Sequence, residues 1–248
     1  MAISAPWNRV SGTHSGIAGC PGVPIADADN NQHEDTVPTV DDSAARTNTG
    51  AHARDMAMMR RCIALSAGVP RMGELPIASI VCDGDRVIAE TTNQVRCEGD
   101  VSRHAEILAI ACAQRTLKHK SLSRCTLYAT VEPCPMCSFA IREAGVGKVV
   151  YALTSPVMGG LSKWNILRDR GLSDAIPQVF GPVPEVIAGL LWREAAAVWW
   201  RWNPVIWAFI KHRGFFGPPP AVDDGEHLPA PRPARGRLRA LFSLGVWR

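Results

Sequence analysis

The chain has no uninterrupted apolar run of membrane-spanning length. Its most apolar stretch, Gly189 to Ile210, is broken by Arg193, Glu194, Arg201, Asn203 and Pro204, and a lipid-spanning helix would have to bury those charges at several kcal/mol each. The first residues lack a charged start followed by an apolar block, so no secretory leader is expected. A strong charge imbalance is also missing. The 27 basic and 23 acidic side chains leave +4, which permits a nucleic-acid partner without requiring one. No internal repeat is visible.

Cysteine, by contrast, is present eight times. Cys62, Cys82 and Cys112 sit in apolar runs, where a free thiol behaves as a small hydrophobe. With no leader, this usage points to a reducing, cytoplasmic setting. At 248 residues and 46% hydrophobic, the chain suffices for one substantial core with appendages.

Three segments are expected. Residues 1–53, rich in Asp, Asn, Thr, Gly and Ala with few aromatics, cannot bury enough apolar surface to offset ordering entropy and read as a disordered extension. Residues 54–213 form the core domain. Residues 214–248 interleave Pro218, Pro219, Pro220, Pro229, Pro231 and Pro233 with Arg232, Arg235, Arg237 and Arg239, and read as an extended basic tail.

Within the core domain, Ala53 to Ala67 is helix-like. Ile77 to Cys82 and Arg86 to Thr91 are strands joined through Asp83-Gly84-Asp85, a hairpin signal. A helix follows from His104 to Gln114, then a strand at Thr126 to Thr130, a helix from Cys134 to before Gly145, and a strand at Lys148 to Leu153. A short helix at Ser162 to Arg168, a weak strand at Pro177 to Phe180 and a helix from Pro184 to Trp202 complete the pattern. Strands separated by helices predict an α/β mixed sheet covered on both faces.

His104, Cys134 and Cys137 carry the chemistry. An imidazole and two thiolates suit Zn²⁺. Cys134 and Cys137, three apart at a helix start, share one face, and the helix dipole there favours thiolates. Pro133 and Pro135 suit the entry and the first turn. Three protein ligands leave a fourth tetrahedral position for water, whose pKa zinc lowers toward neutrality. Glu106 is then a neighbour of the metal, placed to move protons as the catalytic acid and base.

Other readings use fewer of these residues. A redox dithiol of Cys134 and Cys137 leaves His104 and Glu106 idle. A closed structural zinc would recruit Cys97, Cys125 or His119 as a fourth ligand. A zinc-stabilised binding module without activity has no use for the Glu106 carboxylate.

An H-x-E followed by P-C-x-x-C is the signature of zinc-dependent base deaminases, and this chain has it complete in His104-Ala105-Glu106 and Pro133-Cys134-Pro135-Met136-Cys137. The stretch from His104 to Leu153, with HAEILAI, TLYATVEPCPMC and GVGKVVYAL, resembles the cytidine and deoxycytidylate deaminase superfamily. Within it the chain is similar to bacterial tRNA adenosine deaminases and the related guanine and cytosine deaminases. The resemblance runs more weakly from Ala53 to Trp202. It implies a three-layer αβα fold with a five-stranded mixed sheet, a Zn²⁺ cofactor, a nucleobase-containing substrate, and a homodimer in the tRNA branch. It also implies that Asn93 contacts the sugar or base, a position that otherwise reads as a loop turn, and that the backbone of Ala105 meets the base edge.

The chain departs from those relatives at Asp100-Val101-Ser102-Arg103, which adds a cation before the histidine, at Pro76-Ile77-Ala78-Ser79, and in the uncharged loop Thr154 to Gly160. Adenosine in a tRNA anticodon loop is the first substrate class, and a free base or nucleoside such as guanine, cytosine or cytidine the second. Pocket-lining loops, not the metal motif, decide between them. The tryptophans at 192, 199, 200, 202 and 207 are expected in core and dimer packing, with a base-stacking lid or interfacial membrane attachment as the other readings.

Overall fold

The computed structural model describes residues 43–69 and 73–217. Its centre is a five-stranded sheet in the order β2-β1-β3-β4-β5, built from β1 (Ala78–Asp83), β2 (Arg86–Thr92), β3 (Cys125–Val131), β4 (Lys148–Leu153) and β5 (Glu185–Ala188). β1 pairs antiparallel with β2 and β3, whereas β3, β4 and β5 run parallel. The β1–β2 hairpin turns at Gly84, whose φ of 61° suits a residue without a Cβ.

Because side chains alternate across a strand, the sheet divides its residues between two cores. Ile80, Cys82, Tyr128, Val150 and Ala152 face one side, packed with Met59, Cys62, Trp199 and Trp207. Those partners come from α1 (Ser43–Ala67), α6 (Trp192–Trp202) and α7 (Pro204–His212). Val81, Leu127, Ala129, Val149 and Tyr151 face the other, against Ala109, Ala113 and Ile141 of α3 (Ala105–Leu117) and α4 (Pro135–Glu143). The three layers and the mixed sheet are those expected. Cys62, Cys82 and Cys112 are buried and form no disulfide among the described residues, in keeping with their apolar settings.

A buried polar bridge crosses the first core. Asp55 of α1 accepts a 2.8 Å hydrogen bond from the Tyr128 hydroxyl and another of 2.8 Å from Lys148 Nζ, tying the helix to β3 and β4. On the opposite side Arg142 of α4, 1% exposed, donates to the carbonyls of Ile166 and Asp169 and to Ser173 Oγ. It thereby fixes the connection that leads from β4 through α5 (Arg170–Ala175) to β5.

Several expected elements are corrected. No strand forms at Pro177 to Phe180, where the amides of Val179 and Phe180 both turn back to the Ile176 carbonyl. The fifth strand lies instead at Glu185–Ala188, inside the stretch read as one helix from Pro184 to Trp202. Its backbone groups are taken by β4, with Lys148 opposite Glu185 and Tyr151 opposite Ala188. Left-handed φ angles at Gly189 and Leu191 then separate it from α6. The helix expected at Ser162 to Arg168 shrinks to a 3-10 turn at Ile166–Arg168, because Asn165 is left-handed and the amide of Ser162 is committed to Glu132. The short α2 (Val95–Glu98) and α7 are additional.

The chain boundaries also shift. α1 begins at Ser43, ten residues before the expected boundary at 53. Past 213, Phe215 and Phe216 pack on the core and the amide of Gly217 bonds the Thr154 carbonyl at 3.0 Å. The rest of both expected tails, 1–42 and 218–248, lies outside the described residues. Among the described residues no helix is long and apolar enough to cross a membrane.

The tryptophans divide between core and surface. Trp199, Trp202 and Trp207 are buried, and Trp199 lies edge-on to Trp202 and to Phe216 at ring separations of 5.8 and 5.0 Å. Trp200 points outward.

Candidate metal centre

His104 and Cys134 occupy equivalent positions. Each is the N-cap of its helix, α3 or α4, with extended backbone (φ −70°, ψ 147° and φ −68°, ψ 172°), and neither makes a side-chain capping bond. Cap residues stand outside the helical spiral, so both side chains are free to turn toward each other across the helix ends. Pro135 at the first helical position presets the turn that brings Cys137 beneath them.

The three donor atoms form a nearly equilateral triangle. Cys134 Sγ and Cys137 Sγ are 3.5 Å apart, and His104 Nδ1 is 3.6 and 3.5 Å from them. Zinc bonds of about 2.0 Å to nitrogen and about 2.3 Å to sulfur in a tetrahedron require edges of about 3.5 to 3.8 Å. The donor set therefore fits a tetrahedral cation in both chemistry and size. Among the described residues, no other His, Cys, Asp or Glu joins this group. Cys97 bonds the Gln94 carbonyl instead, Cys125 sits at the start of β3, and His119 bonds Ser121 beyond the far end of α3. A fourth protein ligand from any of those three is thus not supplied.

The electrostatics favour thiolate at Cys134. Hydrogen bonding with Cys137 lowers Cys134 to about 4, burial opposes, and His104 beside it lowers it further. Hydrogen bonding with Cys134, then burial, pushes Cys137 well up, and the Cys134 contact raises His104.

Glu106, in the first turn of α3, is 4% exposed. Its Oε2 lies 3.6 Å from Cys137 Sγ. Two residues apart on a regular helix, His104 and Glu106 would point nearly opposite ways. They converge because His104 is the cap and not a helical residue. Burial, then the charge of Cys134, raises the Glu106 carboxyl to about 7.

The remaining expected site residues stand at the start of α3 and just after β2. Ala105 is buried as the first residue of α3, where an amide N–H has no acceptor within the helix. Its carbonyl accepts a 2.7 Å bond from Thr91 Oγ1 of β2. Asn93, 5% exposed, follows β2, and the next residue, Gln94, donates to the Arg103 carbonyl just before His104 at 3.0 Å. Arg103 itself is paired with Glu98.

Sequence reasoning missed two carboxylates. Glu74 is 5% exposed and bonds the Asn93 side chain and the Arg96 amide. Glu132, 3% exposed, accepts from the amides of Ser155, Leu161 and Ser162 and from Ser162 Oγ. Burial raises its pKa against those four donors. It clamps the loop after β4 onto the segment that delivers Cys134, and the fit is tight. A Cβ on Gly160 would lie 1.8 Å from Ser138 Oγ, and one on Gly159 2.2 Å from Glu132 Oε1. The only sequence signal for either residue was a carboxylate within two residues of a proline near a strand, in Glu74-Leu75-Pro76 and Glu132-Pro133.

Fold and donor set together define a class: a three-layer αβα protein with a His-Cys-Cys donor group at two helix N-termini and a buried carboxylate beside it. Residues 33–153 match the cytidine and deoxycytidylate deaminase zinc-binding region. A tRNA-specific adenosine deaminase of Aquifex aeolicus is 36% identical over 46% of this chain and 76% of its own length. A probable cytosine deaminase of Schizosaccharomyces pombe is 34% identical over 54% of this chain and 76% of its own. A tRNA(Ile)-lysidine synthase of Deinococcus deserti is 37% identical over 50% of this chain, which spans only 22% of that relative. The chain belongs to the cytidine and deoxycytidylate deaminase family.

Proposed function

We propose that this chain is a zinc-dependent hydrolytic deaminase of a nucleobase amine, with adenosine in tRNA as its first substrate class. The observation that carries the reading is the buried Glu106 carboxylate against the Cys137 edge of an open three-donor site. A purely structural metal site has no use for that group.

His104, Cys134 and Cys137 would hold the ion, which when bound supplies a Lewis acid that brings water toward neutral acidity. Glu106 performs the proton transfers. It takes a proton from the attacking water as the C–O bond forms at the ring carbon bearing the amine. It delivers that proton to the ring nitrogen, then takes the proton of the new C–OH group and passes it to the amine nitrogen as the C–N bond breaks, giving ammonia and a keto base. Asn93 and the Ala105 amide hold the substrate edge.

The relatives named for tRNA support the first substrate class, and the cytosine deaminase relative supports a free base or nucleoside as the second. We place the protein in the cytoplasm and assign it a homodimer through α4, whose Met136 and Phe139 are 39% and 42% exposed. The deaminase unit is the segment 54–213 with extensions at both ends.

The test is ammonia release from a panel of tRNA, nucleosides and free bases, with and without zinc. Release from one class that depends on zinc and is lost in Glu106→Gln is the expected result. Silence across the panel, with partner binding retained in Glu106→Ala, would leave a binding module.

A further inference from the structure

Asn93 is not free to choose which end of its amide it offers. Its Nδ2 donates a 3.0 Å hydrogen bond to Glu74 Oε1. The same oxygen accepts from the Leu75 amide at 3.0 Å, and Oε2 accepts from the Arg96 amide at 2.7 Å. Glu74 and Asn93 are each 5% exposed. A carboxylate only accepts, so the –NH₂ end of Asn93 is captured by Glu74. Asn93 Oδ1 has no hydrogen-bond partner among the described residues. The neighbouring Gln94–Arg103 backbone bond holds this loop beside His104.

We infer that Glu74 is a positioning residue that locks Asn93 as a hydrogen-bond acceptor, so that the substrate group read by Asn93 is a donor, an O–H of a sugar or an N–H of a base. The inference rests on the deaminase reading for Asn93's role. The Glu74–Asn93 geometry itself does not depend on it.

Two substitutions separate polarity from packing. In Glu74→Gln, the side chain keeps its shape but one end becomes an –NH₂, which meets the Asn93 –NH₂ and the Leu75 amide in one orientation and the Arg96 amide in the other, so either way donor faces donor. The hold on Asn93 is loosened, and its amide can flip to present its own –NH₂ to the substrate. In Asn93→Asp, two carboxylates face each other. In the double variant, the amide now at position 74 donates to the carboxylate now at position 93, whose second oxygen again faces the substrate as an acceptor.

Steady-state kinetics should show KM raised about tenfold in each single variant, because a mismatched buried hydrogen bond costs that much, with kcat nearly unchanged. The double variant should return KM to within about threefold of wild type, since the pair acts as a coupled unit. Zinc content should stay at the wild-type level in all three. A double variant no better than the singles overturns the inference, as does an unchanged KM in Glu74→Gln.

A second readout needs no turnover. In ¹⁵N-labelled protein, the Asn93 side-chain amide is identified by its loss in Asn93→Asp. It should exchange slowly with water in wild type and move and exchange faster in Glu74→Gln. An unmoved resonance overturns the inference. If the resonance moves while wild type releases no ammonia from any substrate, the Glu74 lock stands and the deaminase reading fails instead.

Discussion

Glu106 and Cys137 meet across the starts of two helices, with Oε2 3.6 Å from Sγ. The carboxylate comes from one half of the His-x-Glu and Pro-Cys-x-x-Cys motif and the sulfur from the other, so the proposed proton transfer and the proposed metal binding would share one edge of the site. Glu106→Gln keeps the size of the side chain and removes its basicity. It should retain bound zinc while kcat falls about 10²- to 10⁴-fold, the usual contribution of a positioned acid or base. Ammonia release and metal content measured on the same preparation check this.

The metal should be removable and replaceable. Incubation with a strong chelator is expected to abolish ammonia release, and added Zn²⁺ to restore it. Cys137→Ser should lower zinc per chain, whereas Cys97→Ser, at an exposed sulfur bonded to the Gln94 carbonyl, should leave zinc unchanged. Equal zinc content in the two variants would remove Cys137 from the ligand set.

Gly160→Ala should be strongly felt. The added Cβ would meet Ser138 Oγ, Ser138 Cβ and the Pro133 carbonyl at 1.8, 2.6 and 2.9 Å. Overpacking of this kind costs about 1–3 kcal/mol. Because Pro133 directly precedes Cys134, the strain should also weaken zinc binding. Thermal unfolding and competition with a zinc indicator are the measurements. Gly50→Ala, with nothing within 4 Å of the added atom, is the control.

Asp55→Ala leaves the Tyr128 hydroxyl and the Lys148 ammonium without their shared acceptor. Lys148 is 18% exposed and keeps a second partner in Glu185. A loss of about 3 kcal/mol is therefore expected, the low end for breaking a buried ion pair. Urea denaturation should show the lower midpoint, and zinc content of the folded protein should be unchanged.

The legible parts of the sequence were those whose cause is local. Thr126 to Thr130 and Lys148 to Leu153 are short apolar runs bounded by turns and helices, and they became central strands. His104, Cys134 and Cys137 were legible as a group because a metal site would demand such side chains, and their donor atoms stand within 3.6 Å of one another. The misreadings arose where a distant partner decides. Val186 and Ile187 run into an aromatic helical pattern, and only their pairing with β4 makes them a strand. Glu74 and Glu132 look like ordinary surface acids until the chain brings amides from 22 to 30 residues away onto them. A carboxylate's destiny as a buried acceptor leaves no periodic trace.

The clamp formed by Glu132 has a consequence for which parts of this loop can change. Ser155, Leu161 and Ser162 at the base of the loop are bound to one carboxylate, and Gly159 and Gly160 admit no larger side chain without displacing their neighbours. Val157 and Met158, between those anchors, are exposed. The loop thus has an immovable footing and an interchangeable crown. Residues at the crown can change without touching the bonds that hold Pro133 and, next to it, Cys134. The same changes at the footing would strain the segment that carries Cys134.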